Sequence, residues 1–413
     1  MPKNPQSSYI RWLIGFTFLI LGVCASWNWF VDPYDMFGNK RIDGVNQTKP
    51  AAESRERISK PYRILDVQPR TLILGNSRPE LGLDPSYQCW PEAMKPVYNM
   101  AMLGTGLYEN YRNLQHAAHQ GGIKHLFLGL DFLFFVQQNE SIDLIQWNPP
   151  RRDLEHLQVF AHGNINQHFE WQRQLNGLKT LFSLQATIDS INTVLTQGDP
   201  NAPTINPDGH NPGRQFLSGI ATEGQQVFFT QKNIEVAGLL AQQRVLFQEG
   251  QRWSKPLETL RRILVLATFH NIQVTLFINP RHADFLNLIA LSGKWNMKEE
   301  WKRVLTALAE EHQAEIWDFH DFDEFSIPSA PSEVGKSLVG FWEPGHYRSE
   351  LGNALINSMV GGEDCEILKV GTRLKSVEIE AHLEKLQQRQ HKYVKMHNAE
   401  YTKLKSLYLR FAQ

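Results

Sequence analysis

The chain alternates short apolar runs with longer stretches in which apolar residues recur every three or four positions. The apolar runs predict five buried strands, at residues 71–74, 97–102, 125–130, 273–278 and 314–319. The stretches with helical spacing predict helices at 109–120, at 256–270, around Trp295 and Trp301, and at 351–359. Continuous apolar strands separated by helices indicate an α/β fold, with a parallel sheet that helices cover on both faces.

The most apolar part of the chain is an uncharged run of 20 residues, WLIGFTFLILGVCASWNWFV at 12–31. About 20 apolar residues are enough for a helix to cross the hydrocarbon core of a bilayer. Lys3 and Arg11 precede the run, and positively charged flanks stay in the cytoplasm. We therefore expect a single-pass protein of the cell membrane, with residues 1–11 in the cytoplasm and the main domain periplasmic or extracellular.

Two details of this apolar run bear on whether it is cleaved and on how it sits in the membrane. The tripeptide VCA at 23–25 resembles a signal-peptidase site, so cleavage is the rival to an uncleaved anchor. We favour the anchor, because apolar and aromatic residues continue past residue 25 to the full spanning length. Trp27, Trp29 and Tyr34 are then expected to form an aromatic belt at the outer interface.

The remaining chain divides into a stalk, an interrupted domain and a tail. Residues 32–68 are polar and rich in turn formers, as expected of a stalk. The α/β domain takes residues 69–135 and 256–360, and residues 136–255 between its halves are too long for a plain crossover. We interpret 136–255 as a cap insertion. Residues 361–413 predict a basic helical tail that packs on the domain, faces anionic lipid or is a plain solvated helix. Four basic residues of the stalk are expected on a solvated helix face: Arg55, Arg57, Lys60 and Arg63.

Composition narrows the function classes further. The 413 residues carry a net charge of -1, so the chain has no basic field that would attract nucleic acid. Three cysteines are too few for a disulfide scaffold or a zinc site, although Cys89 and Cys365 could pair in an extracytoplasmic domain. No cofactor or metal is expected. Two histidine pairs are interpreted as parts of solvated faces, His116 with His119 and His162 with His168.

Candidate chemistry begins where the first predicted strand ends, in the sequence GNSR at 75–78. A residue that directly follows a parallel strand lies at the carboxyl edge of the sheet, where α/β active sites form. A nucleophilic Ser77 needs a base and a group that orients the base. The sequence FWEPGHYRSELG at 341–352 offers Glu343 and His346, which are close enough for the carboxylate to orient the imidazole. We predict Ser77 as nucleophile, His346 as general base and Glu343 as its orienting group.

These motifs together resemble the SGNH/GDSL hydrolase superfamily, and in particular the membrane-anchored branch found with exopolysaccharide (alginate-type) O-acetylation. The four sequence blocks of that family are matched, in order, by Gly75-Asn76-Ser77, by Gly104, by Gly129-Leu130-Asp131-Phe132 and by Glu343-Pro344-Gly345-His346. The sequences DPYDMFG and GLDPS also resemble this branch. The resemblance implies a three-layer, flavodoxin-like α/β fold, and it implies that backbone N–H groups of Ser77 and Gly104 stabilise an oxyanion.

The chain departs from the family pattern at two positions. Glu343 replaces the usual Asp, and it can still orient an imidazole. Asp131 stands where the family has an Asn that donates to the oxyanion, and an ionised carboxylate cannot donate a hydrogen bond. Arg78 or Asn99 are the candidates to replace that donor. Residues 279–282, NPRH, end the fourth strand at the same sheet edge and either line the pocket or form a plain loop.

Two functions of different classes follow from the resemblance. The first is a serine esterase or O-acyltransferase acting on acyl groups of a cell-envelope or exported polysaccharide, with a membrane-bound acyl-donor partner if it is a transferase. The second is a catalytically silent scaffold of the same fold that binds a glycan or an assembly partner. Asp131 is the residue that favours the second.

Overall fold

A computed structural model describes residues 5–137, 156–361, 365 and 369–412. The described residues form fourteen α-helices: α1 Pro5–Val31, α2 Glu56–Val67, α3 Ser77–Gly82, α4 Leu107–His119, α5 Phe169–Leu181, α6 Leu184–Leu195, α7 Gln215–Thr222, α8 Gln225–Ala241, α9 Lys255–Phe269, α10 Ala283–Leu291, α11 Trp295–Glu311, α12 Ser349–Val360, α13 Ile379–Met396 and α14 Asn398–Leu409. They also form eight strands: β1 Thr71–Leu74, β2 Val97–Asn99, β3 His125–Leu130, β4 Gln273–Ile278, β5 Glu315–Asp318, β6 Phe341–Glu343, β7 His346–Tyr347 and β8 Thr372–Arg373.

Six of these strands form one sheet in the order β2-β1-β3-β4-β5-β8. Strands β1 to β5 are parallel, and β8 pairs antiparallel with β5 at one edge. The predicted α/β fold with a parallel sheet is therefore confirmed. The chain leaves β1 toward β2 on one side and then crosses to β3 on the other, so the strand order reverses between β1 and β3. Such a reversal opens a crevice at the carboxyl ends of the strands.

Both faces of the sheet are buried, which explains why its strands are apolar almost throughout. Leu72, Leu128 and Leu276 point to one core, which α4, α9 and α11 complete. The intervening residues, such as Phe127 and Phe277, point to a second core that includes side chains of α12. Alternate residues of a strand face opposite sides, so a doubly covered strand needs apolar residues at every position.

Several segments contain structure that the sequence did not indicate. Strand β8 lies in the tail predicted as helical, although α13 and α14 follow it there. Two short antiparallel strands, β6 and β7, form a hairpin around the turn at 343–346. Residues 138–155 of the cap insertion lie outside the described residues. The segment between α12 and β8 is joined to the domain by a disulfide between Cys89 and Cys365, whose Cα atoms are 6.2 Å apart.

Helix α1 is the one candidate membrane span among the described residues, apolar and long enough from Tyr9 to Val31. By length and composition it fits either a membrane anchor or a signal sequence. Its last turns contact α5 and α6 of the cap insertion. The expected aromatic belt does not include Tyr34, which is buried and donates a hydrogen bond from its hydroxyl to Asp189 at 2.5 Å.

The predicted stalk, residues 32–68, is folded against the domain. Its helix α2 packs on α4, and Lys60 is buried, so the expected solvated position of Lys60 is wrong. The Lys60 ammonium lies 3.6 Å from Glu56 and 3.5 Å from Glu80, and it donates to the carbonyl of Ala101. These contacts connect α2 to α3 and to the loop after β2, and no sequence pattern indicates partners so far apart along the chain.

A second correction concerns His116, which is fully buried rather than on a solvated face. Its Nδ1 accepts a hydrogen bond from the backbone N–H of Gln158 at 3.1 Å, so the proton is on Nε2, which donates to the carbonyl of Pro61 at 2.7 Å. Burial lowers the pKa of His116 to about 4. His119, His162 and His168 are exposed, as the sequence predicts.

Replacing Lys60 tests the buried charge cluster. Burial raises the pKa of Glu80 well above its usual value, and Lys60 opposes that rise. A Lys60→Met variant leaves two buried carboxyl groups without their cation, so we expect a loss of about 3 kcal/mol or more in the free energy of unfolding. Arg57→Met, on the same helix but in a half-exposed pair with Glu109, should cost about 1 kcal/mol or less. Equal effects in chemical denaturation would contradict this assignment.

Candidate active site

A tight turn after β1 positions Ser77, the first side chain of the site. Gly75 has a φ of +149°, and a Cβ there would lie 2.4 Å from the ring of Pro79, so the position requires glycine. Asn76 then caps α3, with its side-chain oxygen accepting the N–H of Arg78 at 3.0 Å. Ser77 is therefore the first residue of α3 and projects at the carboxyl edge of the sheet beside the β1/β3 crevice.

The structure brings the three predicted catalytic residues together. Ser77 Oγ lies 2.7 Å from His346 Nε2. On the other side of the imidazole, Nδ1 forms a short hydrogen bond to Glu343 Oε1. The second oxygen of Glu343 accepts the N–H of Gly345 at 2.8 Å. Glu343 and His346 are paired across the β6–β7 hairpin, whose turn holds them in register. The Nδ1–H donated to Glu343 leaves the lone pair of Nε2 directed at the serine hydroxyl.

The protonation states of Glu343 and His346 allow His346 to act as a general base. Burial alone would raise the pKa of Glu343, but His346, Lys232 and the N–H of Gly345 together outweigh burial and lower that pKa to about 2. Burial lowers the pKa of His346, and Glu343 partly offsets that effect. At neutral pH Glu343 is thus ionised and His346 is neutral, which is the protonation state in which Nε2 can accept a proton. Ser77 itself is 7% exposed.

Asp131 directly follows β3, near these three residues, and is fully buried. Its carboxylate is surrounded by donors, and together with them we call it the Asp131 network. The donors are Arg281, Arg78 at 3.1 Å, Asn76 at 2.5 Å and Asn279 at 3.2 Å. Burial would raise the pKa of Asp131, but Arg281 and Arg78, with Asn76 and His346, together outweigh burial and hold that pKa below its usual value. The carboxylate is therefore ionised, and two guanidinium groups balance its charge.

The Asp131 network also supports the turn that carries His346. Arg78 Nε and Arg281 Nη1 each donate to the carbonyl of Gly345 at 2.9 Å. The guanidinium of Arg281 is buried, so it acts as a fixed link between Asp131 and the residue before His346. Sequence reasoning did not assign this role to Arg281. The available signal was the NPRH sequence directly after β4, since residues that follow parallel strands meet at one sheet edge.

One of the residues proposed to stabilise an oxyanion has its amide engaged elsewhere. Asn99 is buried, and its amide nitrogen donates to the carbonyls of Pro79 and Leu83, both at 2.8 Å, so the suggestion that Asn99 replaces the missing donor is wrong. Gly104 lies in the loop before α4 with a φ of +69°. The nearest side-chain atom to a Cβ built there belongs to Arg57, at 3.8 Å.

The cap insertion contributes a wall beside the base. Phe216 of α7 stacks on Trp342 with ring centroids 5.3 Å apart, and its ring centroid is 6.4 Å from that of His346. Arg348 lies over the same indole at 4.3 Å. Gln225 at the start of α8 donates to the carbonyl of Trp342 at 3.0 Å. The insertion therefore holds the β6–β7 hairpin from outside.

A second serine faces a histidine nearby, but its geometry is poorer. Ser349 Oγ lies 3.3 Å from His210 Nε2, and the nearest carboxylate, Asp84, is 3.8 Å from His210 Nδ1, beyond hydrogen-bond distance. Ser349 provides a natural comparison for Ser77. Among the described residues, no group of three or more His, Cys, Asp or Glu side chains is arranged to hold a metal ion.

No protein-family model, curated protein or solved structure matches this chain. The chemistry of the site therefore rests on the geometry of its own residues.

The titration of His346 provides a direct test of its environment. We expect its midpoint in a histidine-resolved NMR titration to lie below the usual value of about 6.5. A Glu343→Gln variant removes the negative charge that favours the imidazolium, so it should lower the midpoint further. Glu350→Gln changes an exposed carboxylate four residues away and should leave the midpoint unchanged. A rise in the Glu343→Gln variant would contradict the pairing.

Proposed function

We propose that this chain is a membrane-anchored serine esterase or O-acyltransferase of the SGNH type. Its substrates would be acyl groups of a cell-envelope or exported polysaccharide. The observation that carries the proposal is the row of hydrogen bonds from Ser77 through His346 to Glu343 at the carboxyl edge of the sheet. The parallel order β2-β1-β3-β4-β5 supports it, because this is the flavodoxin-type order.

Each step of acyl transfer is assigned to a residue of this site. Ser77 Oγ attacks the ester carbonyl while His346 Nε2 takes the hydroxyl proton, and ionised Glu343 stabilises the imidazolium. The tetrahedral intermediate collapses to an acyl-serine, and His346 returns the proton to the departing alkoxide. A water or a sugar hydroxyl then attacks the acyl-serine and gives its proton to Nε2. His346 passes that proton to Ser77 Oγ as the acyl–serine bond breaks, so both residues return to their starting state. The backbone N–H groups of Ser77 and Gly104 are the proposed donors to the oxyanion.

Exclusion of water would decide between hydrolysis and transfer. The serine is nearly buried, and Phe216 with Trp342 forms an aromatic wall beside the base. An apolar wall from the cap insertion disfavours water relative to a bound sugar hydroxyl. A transferase would receive its acyl group from a membrane-bound partner.

Three observations support an extracytoplasmic domain on a retained anchor. The Cys89–Cys365 disulfide is typical of an oxidising compartment. Lys3 and Arg11 favour a cytoplasmic N-terminus. Helix α1 continues without a break through the candidate cleavage site at 23–26, and Asn28 beyond it is held by α5 and α6.

The second candidate function is a catalytically silent scaffold that binds a glycan or an assembly partner. It is favoured by Asp131, since both oxygens of that carboxylate accept hydrogen bonds and neither can stabilise an oxyanion. The Asp131 network balances the charge, however, so the residue need not repel a developing oxyanion.

Serine-directed labelling separates the two functions. The purified full-length protein should hydrolyse a chromogenic acetyl ester and be labelled at Ser77 by a phosphonate. Ser77→Ala should abolish labelling and lower hydrolysis by roughly 10⁴-fold or more. Ser349→Ala is the matched control and should retain both activities. A folded wild-type protein with no label at Ser77 would leave only the scaffold function, and loss of label in Ser349→Ala alone would move the nucleophile to the second pair.

An Asp131→Asn variant distinguishes this site from the usual family arrangement. If an amide at 131 were sufficient for oxyanion binding, the substitution would raise esterase activity. We expect a loss instead, because it leaves the buried Arg281 without its counter-ion, at a cost of about 3–5 kcal/mol in the free energy of unfolding. Asp321→Asn breaks a more exposed pair with Arg389 and should cost about 1 kcal/mol or less. Higher activity and unchanged stability in Asp131→Asn would overturn the proposed role of the network.

A further inference from the structure

Helix α6 of the cap insertion has its apolar face turned away from the protein. Four apolar residues at helical spacing are exposed on one side: Leu184 (76%), Ile188 (44%), Ile191 (47%) and Leu195 (76%). The side that packs against the protein carries small residues, with Ala186, Ser190 and Thr193 buried. This arrangement is the reverse of the usual surface helix, whose apolar stripe faces the core.

The exposed face extends beyond α6 and has almost no charge. Leu178 of α5 and Phe182 between the two helices are also exposed. From residue 180 to residue 197 the only charged side chain is Asp189. That carboxylate accepts hydrogen bonds from the buried Tyr34 and from Gln185, so it is already engaged with the protein. An exposed apolar patch of this kind marks a surface that something else covers.

The hairpin of α5 and α6 is fixed to the last turns of α1 by a buried polar residue. Asn28 donates to the carbonyl of Leu181 at 2.9 Å and to the hydroxyl of Thr187 at 3.0 Å, and it accepts from Ser190 at 3.1 Å. The side-chain amide of Asn28 therefore has hydrogen-bond partners in a part of α1 whose other side chains are mostly apolar. Polar side chains within spans are tolerated when neighbouring helices provide such partners.

The exposed face of the hairpin therefore adjoins the apolar surface of the candidate span. Phe18, Val23 and Phe30 of α1 are exposed, as expected of a helix meant for lipid. Asn28 lies three residues before the end of α1, or about 4.5 Å along the helix axis. Interfacial helices bury their apolar face about 5–10 Å into the headgroup and acyl boundary. The attachment point is thus at the depth where such a helix lies.

We propose that the α5–α6 hairpin lies in the outer leaflet of the bilayer that α1 spans, with the face formed by Leu184, Ile188, Ile191 and Leu195 against the acyl chains. The occupant of this face is lipid rather than a protein partner, because the face is attached beside a helix surface that lipid must cover in any case. The proposal depends on α1 as a retained anchor and is independent of the chemistry at Ser77.

The test uses the full chain with one reporter cysteine at a time. In a Cys24→Ser background, Ile191→Cys and, separately, Leu195→Cys are labelled with an environment-sensitive fluorophore without reductant, so that the Cys89–Cys365 disulfide stays intact. The labelled proteins are reconstituted into phosphatidylcholine vesicles, and intact mass confirms that α1 is present. The matched control is Phe269→Cys, since Phe269 is 79% exposed at the end of α9, which packs on α4.

We expect blue-shifted emission for both hairpin labels, with strong quenching by lipids brominated in the acyl chain and little quenching by aqueous iodide. The Phe269 label should show the opposite pattern. Hairpin labels that are red-shifted and accessible to iodide, in vesicles that contain only lipid and the folded protein, would overturn the proposal and point to a protein partner for this face. Retained phosphonate labelling at Ser77 would show separately whether the active-site proposal stands.

Discussion

The buried pair of Asp131 and Arg281 is the interaction on which the candidate site depends. It joins the ends of β3 and β4, and through Asn76, Arg78 and Gly345 it reaches the end of β1 and the turn before His346. A buried ion pair repays its desolvation only if its remaining donors and acceptors are satisfied, and here two amides and a carbonyl complete it. The nucleophile and the base come from distant parts of the sequence, and this network holds them at hydrogen-bond distance.

The sequence predicts those parts of the fold that local pattern controls. β1, β3 and β4 appear where continuous apolar runs place them, because burial on both faces demands such runs. The placement of Ser77 follows in the same way, since a residue directly after a parallel strand lies at the carboxyl edge of the sheet. Glu343 and His346 come instead from the separate β6–β7 hairpin, and only their close spacing in the sequence indicates that they pair.

The predictions that were wrong concern side chains whose partners are distant in the sequence. Lys60 and His116 have ordinary polar surroundings along the chain and Asn99 lies in an apolar strand, yet each is buried and hydrogen-bonds to a backbone carbonyl about 20 to 55 residues away. Polar residues of this kind are mostly exposed in proteins, so a local pattern favours the surface for Lys60 and His116. Arg281 at the candidate site also has a distant partner, since its counter-ion Asp131 lies 150 residues earlier in the chain.

The junction after α1 has a further consequence for the position of the candidate site relative to the membrane. Lys49 is buried and donates to the carbonyl of Val31 at the end of the helix, and it also contacts the carboxylate of Asp32 at 3.7 Å. The chain thus enters the domain with no flexible tether. In the proposed anchored form the crevice beside Ser77 would stay at one height and one tilt above the lipid. The protein would be free only to diffuse laterally and to rotate about the membrane normal. A polymer would then have to be presented at that height, since the domain could not reach out for it.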